Sequence, residues 1–196
     1  MFVKLAERIT QQLENDNIIS LEKRELYKYG FQQGFILALN FLTSIAIGII
    51  FGMFFECILL LAAYMPLRSY AGGHHSDSSE KCYIVSSLIM VIWMCLLKFE
   101  ILPISCCVIM LLISACICFT FVPVESGNKP LDEREQNVYR QKSLIILAVE
   151  ICLWIFMSLI LRKYEAIIPI VLITEAIMLI LGKAKNRHDD KIIKNR

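Results

Sequence analysis

Five long apolar blocks, Phe35 to Leu67, Tyr83 to Leu97, Ile101 to Val122, Ser143 to Leu161 and Ala166 to Leu181, together hold only three charged side chains: Glu56, Glu150 and Glu175. A bilayer-crossing helix needs about 20 such residues; the blocks run 33, 15, 22, 19 and 16 residues, so each is near that length or longer, Tyr83 to Leu97 being the shortest. The chain as a whole is 57% apolar and 19% charged, with mean hydropathy +0.62. An ordinary soluble domain is roughly 45–50% apolar and 25% charged, so the excess calls for lipid as the solvent. A soluble enzyme, a disordered tail protein and a nucleic-acid module are thereby excluded. The formal net charge of +2 offers no field for a polyanionic partner.

Backbone groups in lipid must be satisfied locally, and the blocks lack the period-two alternation of a barrel, so each reads as helix. The first block is the awkward one. Its 33 residues would make one helix of about 50 Å, too long for a hydrocarbon core of roughly 30 Å and too short for two full crossings. The basic residues decide. Five Lys and Arg precede Gly34, two lie between Arg68 and Lys81, one is Lys98, four lie between Pro123 and Lys142, two are Arg162 and Lys163, and six follow from Lys183. If the first block turns back on itself, the positive-inside rule puts seventeen of these in the cytoplasm and three outside; a single crossing puts only eight inside and twelve outside. The expected fold is therefore all-α and polytopic, with about six hydrophobic helices. The first pair is short, one arm being tilted or half-penetrating, and Gly52 and Glu56 mark its turn. Both termini and the loop beginning at Arg68 are expected in the cytoplasm.

Ahead of the blocks, Phe2, Leu5, Ile9 and Leu13 recur at helical spacing among polar residues, the pattern of an amphipathic helix. It packs on the protein's own polar face or lies at the lipid interface. Asp16-Asn17 breaks it, and Ser20 is placed to cap a second helix. The mixture of charges in the first 30 residues does not read as a cleavable signal peptide. The domain division that follows is 1–34 for the amphipathic helices, 35–182 for the membrane region with polar loops at 68–82 and 123–142, and 183–196 for a basic tail. Seven of the eight cysteines lie inside the apolar blocks, where they serve as small apolar residues. Cys82 alone stands outside, at the end of a polar loop.

That loop, Arg68-Ser69-Tyr70-Ala71-Gly72-Gly73-His74-His75-Ser76-Asp77-Ser78-Ser79-Glu80-Lys81-Cys82, is the densest group of reactive side chains in the chain. Gly72-Gly73 permits a sharp turn between two helices. Asp77 and Glu80 resemble the start of a helix continuing through Cys82, which then lies near a helix N-terminus, where the macrodipole favours negative charge. A thiol nucleophile needs a base, and His74 and His75 are the loop's candidates. In one continuous helix His75 and Cys82 would stand about 10 Å apart along the axis, so the histidine has to fold back from the glycine turn. Arg68 either fixes that turn or binds a substrate carboxylate. Ser86, one helical turn beyond Cys82, shares its face and is placed to donate a hydrogen bond.

Other readings compete on the residues alone. One thiol, two adjacent histidines and Asp77 form an irregular metal-ligand set, and an inert interfacial loop is commoner than a catalytic one. Glu56, Glu150 and Glu175, carboxylates at membrane depth without a facing Lys or Arg, point to ion or proton passage. They support an alternative, non-enzymatic peptide exporter or proton-coupled carrier using Glu150 and Glu175.

Arg68, then Ala71-Gly72-Gly73, one residue, His75, six residues and Cys82 resemble the signature of AgrB, the accessory gene regulator B family of Gram-positive bacteria. Downstream, Pro123-Val124-Glu125, then Asn128-Lys129-Pro130-Leu131 and a charged run to Lys142 resemble that family's loop after its third hydrophobic region. The likeness extends over nearly the whole chain. It implies an integral membrane cysteine endopeptidase that removes the acidic tail of a quorum-sensing propeptide and promotes closure of a thiolactone or lactone ring. By position, Cys82 is then the nucleophile and His75 the general base, Arg68 and Gly73 are needed for activity, and His74 occupies a variable position. The implied chemistry uses neither cofactor nor metal. The implied partners are a small amphipathic AgrD-like propeptide, the lipid bilayer and a second copy of the chain in a homodimer, with no nucleic acid. Lys129, Arg134, Arg140 and Lys142 are candidates to hold the acidic tail electrostatically.

Overall fold

The computed structural model describes residues 2–73, 79–125 and 132–194. Among them there is no strand, and seven α-helices follow one another. They are α1 (Phe2–Asn15), α2 (Arg24–Phe51), α3 (Phe54–Ala71), α4 (Ser79–Lys98), α5 (Ile104–Phe121), α6 (Glu133–Ile160) and α7 (Ile167–Lys194). Six helices are long and apolar enough to span a membrane, and we read the chain as a multi-pass membrane protein. Many of their large apolar side chains face outward, Ile50 and Leu159 among them. In water such a surface would be a liability, but against lipid it costs nothing.

The amphipathic start folds as its spacing predicts. α1 ends at Asn15, and Asn17 adopts a positive φ of 55° that stops the helix. Salt bridges Lys28–Glu7 at 3.2 Å and Arg24–Glu14 at 3.4 Å then dock α1 on the start of α2. Ser20 caps only a short 3-10 turn, Leu21–Lys23, and makes no side-chain capping bond.

The first apolar block does fold back on itself. α2 ends at Gly52, whose φ of 71° is left-handed, and Met53 N–H donates to Gly48 O at 2.8 Å to close the turn. Gly48 lets the two arms touch, because a Cβ there would lie 2.6 Å from Cys57 Cβ. The first arm is not short as expected, because it begins eleven residues before the block. It starts at Arg24 and runs for 28 residues, about 42 Å, because residues with good helix propensity carry the helix out past the apolar stretch.

α7 is the most buried of the six. Ile167, Ile168, Ile170, Val171, Leu172, Ala176 and Leu179 are all buried, so it is enclosed on most sides by its neighbours. It continues without a break past Lys183 to Lys194, so the basic tail prolongs a membrane helix. At one end of the bundle, Gly72 of the α3 end pairs with Val124 after α5, Tyr70 meets Tyr139 of α6, and Asn186 of α7 donates to Glu125 O at 2.9 Å. The two polar loops therefore share that end with α1 and the end of α7. At the opposite end Lys98 donates to Phe51 O at 3.2 Å, and Lys163 pairs with Glu56 at 2.6 Å.

Candidate active site

α3 delivers Arg68 in its last turn, and the chain then leaves the helix through Gly72 and Gly73, with φ of 77° and 112°. Both angles lie where side-chain-bearing residues are strained. Space forbids a side chain as well. A Cβ on Gly72 would run into Val124 O, and one on Gly73 into the Arg68 guanidinium and the Met178 carbonyl. The turn is pinned by backbone bonds from Val124 N–H to Ala71 O at 2.8 Å and from Gly73 N–H to Val124 O at 3.3 Å. The segment resembling a second family motif is thus the clamp on the first.

Arg68 makes the other half of that clamp. Its Nη1 donates to Gly72 O and lies 3.6 Å from Oε1 of Glu175, which is fully buried in α7. Of the two uses that spacing left open, the structure shows the guanidinium bonded to the glycine turn. It also corrects the expectation of three carboxylates without facing cations. Glu175 faces Arg68 and Glu56 faces Lys163, whereas Glu150, buried in α6, has no ion-pair partner among the described residues; the oxygens of Glu150 and Glu175 alike make no hydrogen bond there. The intramembrane charge of Glu175 was visible in the sequence as a group in need of a partner. Its partner was not, because Arg68 lies on a distant helix.

Cys82 is a half-buried free thiol in the first turns of α4. The next residue anchors this helix start to α2, since Tyr83 Oη and Thr43 Oγ1 are 2.9 Å apart. Ser86 does not bond the thiol. Its hydroxyl donates to the Cys82 backbone carbonyl at 2.8 Å, the common one-turn back-bond of a helical serine. Arg68, Cys82 and Ser86 all line one cavity of about 410 Å³, whose walls include Asn40, Tyr64, Met90 and Trp93. His74 and His75 lie outside the described residues, as do Asp77 and Lys129.

The remaining basic candidates divide. Arg140 donates to Val122 O at 3.1 Å and Phe119 O at 3.3 Å, so it caps the free carbonyls at the end of α5. Lys142 sits 4.7 Å over the Tyr70 ring with Nζ 3.5 Å from its hydroxyl, beside the glycine turn. Arg134 is exposed in the first turn of α6, a helix started by a capping box between Asp132 and Glu135. The structure brings Arg140 and Lys142 to the same end as Cys82 and gives both a structural use there.

Comparison with known proteins places this geometry in context. The chain matches the family described as AgrB, Accessory gene regulator B, over residues 6–180. It is 27% identical over 154 residues to "Putative AgrB-like protein 2" of Clostridium perfringens, covering 74% of this chain and 70% of that protein. It is 26% identical over 183 residues to "Protein FsrB" of Enterococcus faecalis, covering 88% of this chain and 74% of that one. No solved structure matches it.

Proposed function

Because the chain belongs to the accessory gene regulator B family, we propose that it matures a quorum-sensing propeptide as a membrane cysteine endopeptidase. The observation that carries this reading is the shared cavity of Cys82 and Arg68, at the bundle end where the two family-like loops clamp each other. His75, two residues beyond the pinned Gly73, is the general base in this reading.

The reaction proceeds in two exchanges. His75 takes the Cys82 thiol proton as sulfur attacks the carbonyl at the propeptide's scissile bond. The C–N bond breaks, the amine of the acidic tail leaves with the proton returned by the imidazolium, and the new C-terminus is held as a thioester on Cys82. A thiol within the propeptide then attacks that carbonyl, forming a thiolactone and releasing the Cys82 thiol; a hydroxyl would give a lactone. Thioester exchange is nearly balanced whereas hydrolysis is strongly downhill, so the site must keep water out until the ring closes. An apolar cavity beside the thiol serves that need.

In this reading Arg68 and Glu175 are positioning residues, since they act through the glycine turn. Arg134, Arg140 and Lys142, with Lys129, set a positive rim for the acidic tail. Residues 35–182 form the catalytic membrane region, 1–34 and 183–196 flank it on the cytoplasmic side, and two copies form a homodimer. The reading is tested with membranes carrying Cys82→Ala and the cognate propeptide. Cleavage should be lost, and persistence of cleavage would falsify the mechanism. A carrier using Glu150 and Glu175 predicts the reverse: transport lost in Glu150→Gln with Cys82→Ala harmless.

A further inference from the structure

The cavity beside Cys82 extends far beyond what a thiol and its base need. Its volume of about 410 Å³ lies within the ~300–1,000 Å³ range of small-ligand sites. Along α4 its wall passes from Cys82 through Val85, Ile89 and Trp93, some 16 Å of helix, so it runs inward from the polar end. Phe41, Leu61 and Met65 face it from α2 and α3. The floor is rigid. Met90 and Trp93 are buried, the Trp93 ring stands edge-on to Tyr64 at 5.2 Å, and its Nε1 donates to Thr174 Oγ1 at 3.0 Å.

One polar group in this lining is unspent. Asn40 Oδ1 is buried and has no hydrogen-bond partner among the described residues. Asn40 precedes Thr43 by one turn of α2, and Thr43 meets the Tyr83 hydroxyl next to Cys82. Both helices leave the same end of the bundle, so the carboxamide sits near the depth of the thiol. Two other polar lining groups are engaged: Arg68 with Gly72 and Glu175, Ser86 with the Cys82 carbonyl.

We propose that this cavity is the acyl-side subsite of the peptidase, holding one large apolar side chain of the residue whose carbonyl joins Cys82, while Asn40 accepts a backbone N–H from the same segment. The inference rests on the peptidase reading. An acyl group on Sγ must stay within a few ångströms of the thiol, and from there it can reach either the polar loops or this enclosed apolar space. A charged or strongly polar side chain deeper inside, among Val85, Ile89, Met90 and Trp93, would lose its hydration for few partners. An apolar one fills the space and shields the thioester from water. The leaving segment is thereby left to the polar end, where the basic rim lies. The cavity thus orients the propeptide, with its apolar side of the scissile bond inward and its acidic side outward.

The test uses the full chain in liposomes and a propeptide series with Phe, Leu, Ala or Asp on the acyl side of the scissile bond. The wild-type protein should prefer Phe and Leu to Ala by roughly 10–200-fold, the range set by apolar pocket contacts, and reject Asp. Narrowing the cavity with Ile89→Trp, or independently with Val85→Trp, should lower the Phe-to-Ala ratio of kcat/KM by at least about tenfold. Asn40→Leu, which conserves size, should lower kcat/KM about tenfold for every member of the series without changing that ratio. A flat wild-type preference, or a ratio unmoved in both tryptophan variants, overturns the subsite and leaves the cavity to lipid. Full cleavage by Asn40→Leu removes that residue from the site. Loss of cleavage in Cys82→Ala with a flat preference sinks the subsite alone, whereas cleavage by Cys82→Ala sinks the peptidase reading itself.

Discussion

Each end of the bundle is tied by one basic side chain reaching a carboxylate in an apolar helix, and the two ties are built differently. At the end away from Cys82, Lys163 is 68% exposed and reaches Glu56 at 2.6 Å. At the Cys82 end, Arg68 is 19% exposed and lies 3.6 Å from a Glu175 with no exposure at all. A flexible ammonium in water holds its partner at high dielectric, and such pairs contribute little. A guanidinium enclosed with a buried carboxylate is another matter, since removing either one strands a charge. Arg68 also spends a donor on Gly72 O, so the second tie sets the shape of the turn that leads to His75. One pair ties helix ends at the surface; the other shapes the glycine turn beside the candidate site.

The sharpest way to break that contrast is Arg68→Ala. It leaves Glu175 buried and unpaired, a change of roughly 3–5 kcal/mol when the partner of a buried pair is lost. Thermal unfolding in detergent should show a large drop in Tm, and propeptide cleavage should fall by more than about 100-fold. Equal Tm in the wild type and Arg68→Ala would show that the pair is no more than a surface contact. Glu175→Gln comes next. The amide keeps a polar oxygen beside Arg68 without the charge, so cleavage should fall about tenfold with a smaller loss of Tm.

Glycine substitutions sharpen the same comparison at the backbone. Gly73→Ala forces a side chain onto a φ of 112° and into the Arg68 guanidinium, a strain of about 1–3 kcal/mol. It should cost activity at least about tenfold. Gly34→Ala, in α2 with open space around it, should leave cleavage unchanged and raise helix stability by about 0.5–1 kcal/mol. The smallest effect belongs to the far tie. Lys163→Met should change cleavage by less than about twofold, because an ion pair whose ammonium is exposed at the opposite end from Cys82 has no route to the turn.

Much of the fold was legible in the residues. Apolar block lengths fixed the helices, and the distribution of Lys and Arg required the first block to turn back, which Gly52 and Gly48 allow. The Gly72-Gly73 turn and the position of Cys82 near a helix start were equally readable. Other features were not. Ser86 shares the Cys82 face as its spacing predicts, yet its hydroxyl turns to the backbone, a choice between two acceptors that spacing does not make. Arg140 and Lys142, read from the sequence as candidates to hold an acidic tail, also find the α5 carbonyls and the Tyr70 ring. Each of these outcomes depends on a neighbour from another helix or on competition between local acceptors.

The amino-acid order by itself determined that the chain lives in lipid as helices, that an even number of passes precedes Arg68, and that one thiol stands at a boundary. These follow from quantities that act locally: hydrophobic length, helical period and the cost of moving a cation across a membrane. Only the tertiary structure decided that Glu175 belongs to Arg68, that Val124 closes the glycine turn, and that an apolar cavity opens beside Cys82, lined by an Asn40 whose Oδ1 has no partner among the described residues. Those pairings join helices far apart in the sequence. They arise because a buried charge or polar group must find a partner in the one packing that fills the bundle, and nothing in local spacing records which helix will supply it.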